Sequence, residues 1–91
     1  MRKCLIIKVH GNVQSTTQKA LIQKNAQSLN IEGTVQSYED GIIIHACGVV
    51  DRLDKFVDEI YGSIDKLKIN GVETEPFVNE KDYRGAFRII G

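Results

Sequence analysis

The sequence predicts a single α+β domain, and three observations carry that prediction. Apolar residues alternate with period two from Lys3 to Val9, they recur at helical spacing in two later segments, and an Asp-Gly turn joins two strand-like runs lying between those segments. At 91 residues the chain has single-domain length, and a compact domain of that size buries roughly 60 to 65% of the surface its unfolded chain exposes. One hydrophobic core is feasible and two are not, so residues 1–91 are expected to form one domain.

Strand one sets Leu5, Ile7 and Val9 on one side and Cys4, Ile6 and Lys8 on the other. Gly11 to Thr17 has no apolar period. Ile22, Ala26 and Leu29 then recur with Gln and Lys between them, which predicts helix one, ending near Asn30, a residue that tolerates the left-handed cap conformation. Glu32 to Tyr38 is a second short strand, and Glu39-Asp40-Gly41 turns tightly into an apolar third strand from Ile42 to Cys47, so the pair reads as a hairpin.

Leu53, Phe56, Val57 and Ile60 fall on one helical face with Asp51, Arg52, Asp54, Lys55 and Asp58 on the wet face, and this second helix stops around Tyr61-Gly62. Lys66 to Ile69 alternates charged and apolar residues and is expected to be strand four, while Phe87 to Ile90 fits a fifth strand against a sheet edge. Between them, Gly71 to Arg84 is polar, contains the only Pro, and reads as a loop or a ragged hairpin. The order strand, helix, strand, strand, helix, strand describes two split β-α-β units. Right-handed crossovers fold these into a ferredoxin-like sandwich, an antiparallel sheet in the order 4-1-3-2 with both helices on one face. The other face stays open and carries Cys4, Ile6 and the all-apolar third strand, so the chain is expected to be a monomer or a weak dimer through that face.

The hydrophobic fraction of 42% and the charged fraction of 26% are those of an ordinary globular chain. Twelve basic and twelve acidic residues cancel, which removes any global field toward nucleic acid or an anionic membrane, so neither is an expected partner and anion recognition must be local. The longest apolar runs, Gly41 to Gly48 broken by His45 and Cys4 to Ile7, are too short for a membrane span or a signal peptide, and the cytoplasm is the expected location.

The local feature that stands out is the turn Gly11-Asn12-Val13-Gln14-Ser15-Thr16-Thr17-Gln18-Lys19. A strand running into a helix through a short polar turn aims free backbone N–H groups at one point, where the helix dipole also favours negative charge. Gly11 permits a sharp departure from the strand, the Ser and Thr hydroxyls add donors, and Lys19 adds a positive charge in the first helical turn. Residues Gln14, Ser15, Thr16, Thr17, Gln18 and Lys19 are therefore the candidate phosphate-binding loop.

That stretch resembles the acylphosphatase signature G-x-V-Q-G-x-x-F-R, with Gly11, Val13 and Gln14 unchanged. Gly33-x-Val35 followed by Asp40-Gly41 is similar to the family's second motif, G-x-V-x-N-x-x-D-G, and Phe87-Arg88-Ile89 resembles its F-x-I ending. The resemblance implies hydrolysis of acyl phosphates to a carboxylate and phosphate, without a metal, a cofactor or a covalent intermediate. The arginine of the first motif clamps the phosphoryl group beside the loop amides, and the asparagine of the second orients the attacking water. Such chemistry depends on positioning and on stabilising the phosphoryl oxygens.

Both of those positions are substituted, and they are the candidate catalytic residues of this chain. Lys19 keeps the charge of the family's arginine but lacks the planar fork that grips two phosphate oxygens, and Ser37 replaces the asparagine with a shorter hydroxyl. Ser15 replaces the second loop glycine and Gln18 the phenylalanine; if the glycine position needs a positive φ, Ser15 strains or reshapes the cradle. Three readings follow: a pseudoenzyme that retains an anion-binding loop, a weakly active acylphosphatase, and a non-enzymatic anion-sensing or interaction module. Phosphate or an acyl phosphate-like anion is the expected partner of the loop.

In the predicted strand order Cys4 and Cys47 lie at the same end of neighbouring strands, which is compatible with a disulfide. Two reduced thiols are the alternative, and a cytosolic setting favours them. His10 makes anion binding pH-dependent only if it faces the cradle, and otherwise is an ordinary strand-end residue. His45 has no Asp or Cys spacing that supports a metal site. Arg2, Arg84 and Arg88 are the remaining candidates for a replacement phosphate clamp.

Overall fold

The first strand, β1 (Arg2–Gly11), is an interior strand of a five-stranded sheet, and the elements that position the polar turn are built around its C-terminal end. The computed structural model describes residues 2–63, 69–78 and 83–90. After β1 come α1 (Thr16–Ser28), β2 (Glu32–Tyr38), β3 (Gly41–Val49), α2 (Val50–Ser63), β4 (Ile69–Pro76) and β5 (Phe87–Ile90), and the spatial order is β4-β1-β3-β2-β5. The expected order 4-1-3-2 forms the first four places. The architecture is the ferredoxin-like α+β sandwich.

The sheet is mixed, which corrects the expectation of a wholly antiparallel one. β1 is antiparallel to both β3 and β4, and β2 to β3, but β5 runs parallel to β2. The reason is directional: a chain returning from β4 runs opposite to it, hence the same way as β1 and β2, and joins the free edge of β2 in parallel.

The fourth strand also lies elsewhere than expected. Of Lys66 to Ile69 only Ile69 is described, residues 66–68 being outside the described residues, and the strand occupies Ile69–Pro76, inside the segment read as loop or ragged hairpin. Residues 79–82 of that segment are likewise outside the described residues. Its acidic residues hid the strand because β4 is a sheet edge, where charge and a terminal Pro are tolerated. A bulge between His10 and Gly11 shifts its register against β1.

Register fixes the two faces. Ile7 opposes Ile44, Val9 opposes Ile42 and Val35 opposes Ile44, and all five are buried under the helices with Ile22, Ala26, Leu53, Phe56 and Ile60. Phe56 and Phe87 close this layer edge-to-face, with centroids 6.1 Å apart. Burying each large apolar side chain contributes roughly 1.5 to 3 kcal/mol, so the layer between sheet and helices outweighs any single polar contact in holding the fold.

On the opposite face Cys4 and Cys47 are directly opposed and joined by a disulfide, with Cα atoms 4.1 Å apart. Phe77 covers part of that face by packing edge-on against His45, and its N–H donates to the Cys4 carbonyl. Among the described residues no helix is long and apolar enough to cross a membrane.

Candidate functional site

The turn departs from β1 at Gly11, whose φ of 138° lies in a region that side chains rarely adopt. Val13 follows as a buried anchor, and its N–H donates to the Gly11 carbonyl at 2.9 Å. Helix α1 then starts from Ser15. Its Oγ accepts the Gln18 N–H at 3.1 Å, and its carbonyl accepts the Lys19 N–H at 3.1 Å, the first helical bond. Ser15 has φ −65° and ψ 150°, so it sits in an ordinary N-cap conformation and brings no backbone strain to the turn.

An N-cap side chain satisfies only one of the first-turn donors. Ser15 takes the Gln18 N–H, which leaves the Thr16 and Thr17 N–H groups without helical acceptors at the positive end of the α1 dipole. Thr16 and Thr17 are exposed there. The donors the candidate loop offers are these two amides, the two threonine hydroxyls and whatever charge stands beside them.

That charge is Lys19, and it is not a surface lysine. It lies three residues before Ile22 on the buried stripe of α1, and it is only 6% exposed. Its Nζ donates to Ser37 Oγ across 2.6 Å. Ser37 shares its sheet face with Ile42, its register partner, but it sits near the end of β2 where the strand emerges, so it is exposed while Lys19 is buried. The two candidate catalytic residues, eighteen positions apart in sequence, are therefore brought into direct contact.

Gln14, in the candidate loop, also braces a neighbouring turn. Its Nε2 donates to the Glu39 carbonyl at 3.0 Å and the Gly41 carbonyl at 2.7 Å, so the side chain braces the β2–β3 turn. The Gly11 N–H donates to the Asp40 carbonyl at 3.3 Å, adding a second tie. A Cβ on Gly41 would lie 1.8 Å from the Val9 carbonyl oxygen, so only glycine allows the two backbones to meet this closely. Gln18 fits its place poorly: its Nε2 is buried and has no partner among the described residues.

His10 holds a third tie that nothing in the sequence announced. Its Nδ1 lies 3.2 Å from Asp40 Oδ1 and its Nε2 3.0 Å from Glu73 Oε2, bridging the β2–β3 turn to edge strand β4. These acids stand 30 and 63 positions away, so no local spacing could reveal the bridge. His10, Glu39 and Asp40 bring ligand atoms within 4.8 Å of one another. Both imidazole nitrogens are already engaged by carboxylates, so the group reads as an ion-pair bridge.

Of the other candidates, Arg2 pairs with Glu32 at the opposite end of the sheet, the end that carries the disulfide. Arg88 lies on β5 opposite Thr34. Glu32 also accepts the Gly85 N–H at 3.0 Å, tying down the turn beside Arg84. A concave surface lined by Ile6, Lys8, Glu73, Thr74 and Glu75 lies between β1 and β4, with its β1 residues on the open sheet face, and is separate from the cradle.

Two predictions come from this geometry. The His10 pKa is raised above its ordinary value, first by the hydrogen bond to Glu73 and then by that to Asp40, against a smaller opposing effect of burial. A raised folded-state pKa stabilises fully below the unfolded value of about 6.5 and loses that contribution as pH rises through the folded value. Urea denaturation across pH should therefore show a stability component that declines above neutral or mildly acidic pH in the natural protein and is missing in His10→Gln. The partners are solvent-exposed, so salt should weaken it. Separately, Gln18→Leu should raise stability by about 1 kcal/mol in urea denaturation, because it removes a buried donor without an acceptor; a loss of stability would show that the amide is satisfied.

Comparison with known proteins agrees with the motifs and the fold. The acylphosphatase family model matches residues 5–89. Full-length HypF in its phosphate- and nucleotide-bound form is similar at 25% identity and a TM-score of 0.87, over 100% of this chain and 12% of that one. This chain thus spans about one eighth of that larger protein. An acylphosphatase from Coxiella burnetii is 23% identical with a TM-score of 0.82, over 98% of this chain and 93% of that one. The acylphosphatase from Bacillus subtilis is 22% identical with a TM-score of 0.81, over the full length of both. These two likenesses establish the shared fold, and with the family match over nearly all of its length, the chain belongs to the acylphosphatase family.

Proposed function

We propose that this domain binds phosphate-type anions at the N-terminus of α1 and that its hydrolysis of acyl phosphates is impaired, as in a pseudoenzyme. The observation that carries this is the 2.6 Å contact between Lys19 Nζ and Ser37 Oγ. It supports anion binding because a cationic side chain reaches the same corner as the Thr16 and Thr17 amides. It supports impairment because the charge arrives as a point rather than a bidentate fork, and because the hydroxyl that would have to position water is engaged by that lysine.

The loop has in addition given its Gln18 amide to the Ser15 cap. Losing one pre-organised donor commonly costs about 10² to 10³ in rate, so changes at several positions together leave little of the family's hydrolysis. A lysine is nevertheless a competent phosphate ligand, and that favours residual activity as the second reading over a connector without a ligand. As to location, the Cys4–Cys47 disulfide fits an oxidising setting better than the cytoplasm expected from sequence.

The test is acetyl phosphate hydrolysis by the natural protein and by a variant carrying Ser15→Gly, Gln18→Phe, Lys19→Arg and Ser37→Asn, both checked for cooperative unfolding. The variant should be faster by at least about 100-fold. Comparable rates in the two proteins would refute the impairment.

A further inference from the structure

We propose that His10 is a proton-operated clasp: protonated, its ring holds the β2–β3 turn and edge strand β4 at once, and on losing a proton it lets go of Asp40 and loosens the turn behind Gly11. The clasp stands whether or not the neighbouring loop holds an anion. Its basis is a count of donors. Nδ1 lies 3.2 Å from Asp40 Oδ1 and Nε2 lies 3.0 Å from Glu73 Oε2. Ionised carboxylates only accept hydrogen bonds and a neutral imidazole has a single donor nitrogen, so both contacts are hydrogen bonds only in the imidazolium form. The neutral ring keeps one carboxylate and turns a lone pair toward the other. The longer contact, to Asp40, is the one given up.

The sheet is built for this reach. The register partners of His10 are Gly41 on β3 and Gly71 on β4, so neither neighbouring strand sets a side chain beside the ring, and its two acids come from just beyond those glycines. Other charged groups share this end of the open face. Glu39 belongs to the same turn and brings a carboxylate oxygen within 4.8 Å of the His10 and Asp40 ligand atoms. Lys8 lies 4.0 Å from Glu75 on β4 and over the Tyr38 ring at the end of β2. Carboxylates, lysines and tyrosines ordinarily titrate outside the range in which histidine changes charge. His45 is the second histidine, and it stands further along the face, opposite Ile6 and edge-on to Phe77. Opening reaches the start of the candidate loop because the Gly11 N–H donates to the Asp40 carbonyl. Gln14 still holds the carbonyls of Glu39 and Gly41 on either side, so the turn loosens at Asp40 without detaching. The clasp is closed at low pH and opens as pH rises through the His10 pKa, which Glu73 and then Asp40 raise.

The experiment follows the histidine ring nitrogens and the backbone amides of the full chain by NMR from about pH 5.5 to 8.5, without added anion ligand. The His10 ring should carry protons on both nitrogens at low pH and on Nε2 alone at high pH. The amides of Gly11 and Asp40 should shift with the same midpoint as the ring, and those shifts should vanish in His10→Gln. In Asp40→Asn and in Glu73→Gln, each of which removes one acceptor charge and keeps its shape, the His10 midpoint should fall by roughly a few tenths of a pH unit. A midpoint unchanged in both acid variants would overturn the clasp. So would Gly11 and Asp40 amides that ignore the His10 titration, or that keep their shifts in His10→Gln and so follow another group. A neutral ring with its proton on Nδ1 would place the release at Glu73 and also overturn the proposal.

Discussion

The arrangement of this molecule's polar corner depends on one placement, a lysine ammonium carried on the buried stripe of a helix. Lys19 is 6% exposed, and a charged group in that position must be hydrogen-bonded or the fold loses the burial it gains around it. Ser37 supplies one such bond from β2, so the contact draws the helix N-terminus and the strand end together. The apolar layer below does most of the work of folding. The polar contact decides which side chains meet at the top of that layer.

The meeting point is rigid because the neighbouring backbones are tied independently of it. Gln14 bonds two carbonyls of the β2–β3 turn, Gly11 bonds a third, and Gly41 permits an approach that a side chain would block. His10 carries the same bracing across to β4. The turn Gly11 to Lys19 is thus braced from several sides by bonds that do not involve its first helical amides. Ser15 adds an N-cap in relaxed geometry, and its Oγ takes the Gln18 N–H.

Much of this was legible in the sequence, for identifiable reasons. Alternation marked β1, helical spacing marked α1 and α2, and Asp40-Gly41 marked the hairpin turn, because each of these elements has one wet and one buried face. The inward position of Lys19 could also have been read, since it extends the Ile22 and Ala26 stripe by three residues. The placement of β4 was not legible, because an edge strand needs few apolar residues and Glu73 and Glu75 disguised it. The parallel pairing of β5 and the His10 bridge are long-range consequences of topology, with no local pattern to betray them. At Ser15 the condition for strain is not met, because the N-cap conformation requires no positive φ.

The family's fold is kept, and Lys19 and Ser37 meet in direct contact at the end of it, which is the ground for proposing a site that holds a phosphoryl group more than it cleaves an acyl phosphate. The measurement that tests this most directly is a crystal structure with inorganic phosphate. The account predicts phosphate against the Thr16 and Thr17 amides, with Lys19 Nζ and Ser37 Oγ within hydrogen-bond distance of its oxygens. Phosphate bound elsewhere, or a Lys19 side chain turned away from an occupied cradle, would contradict it.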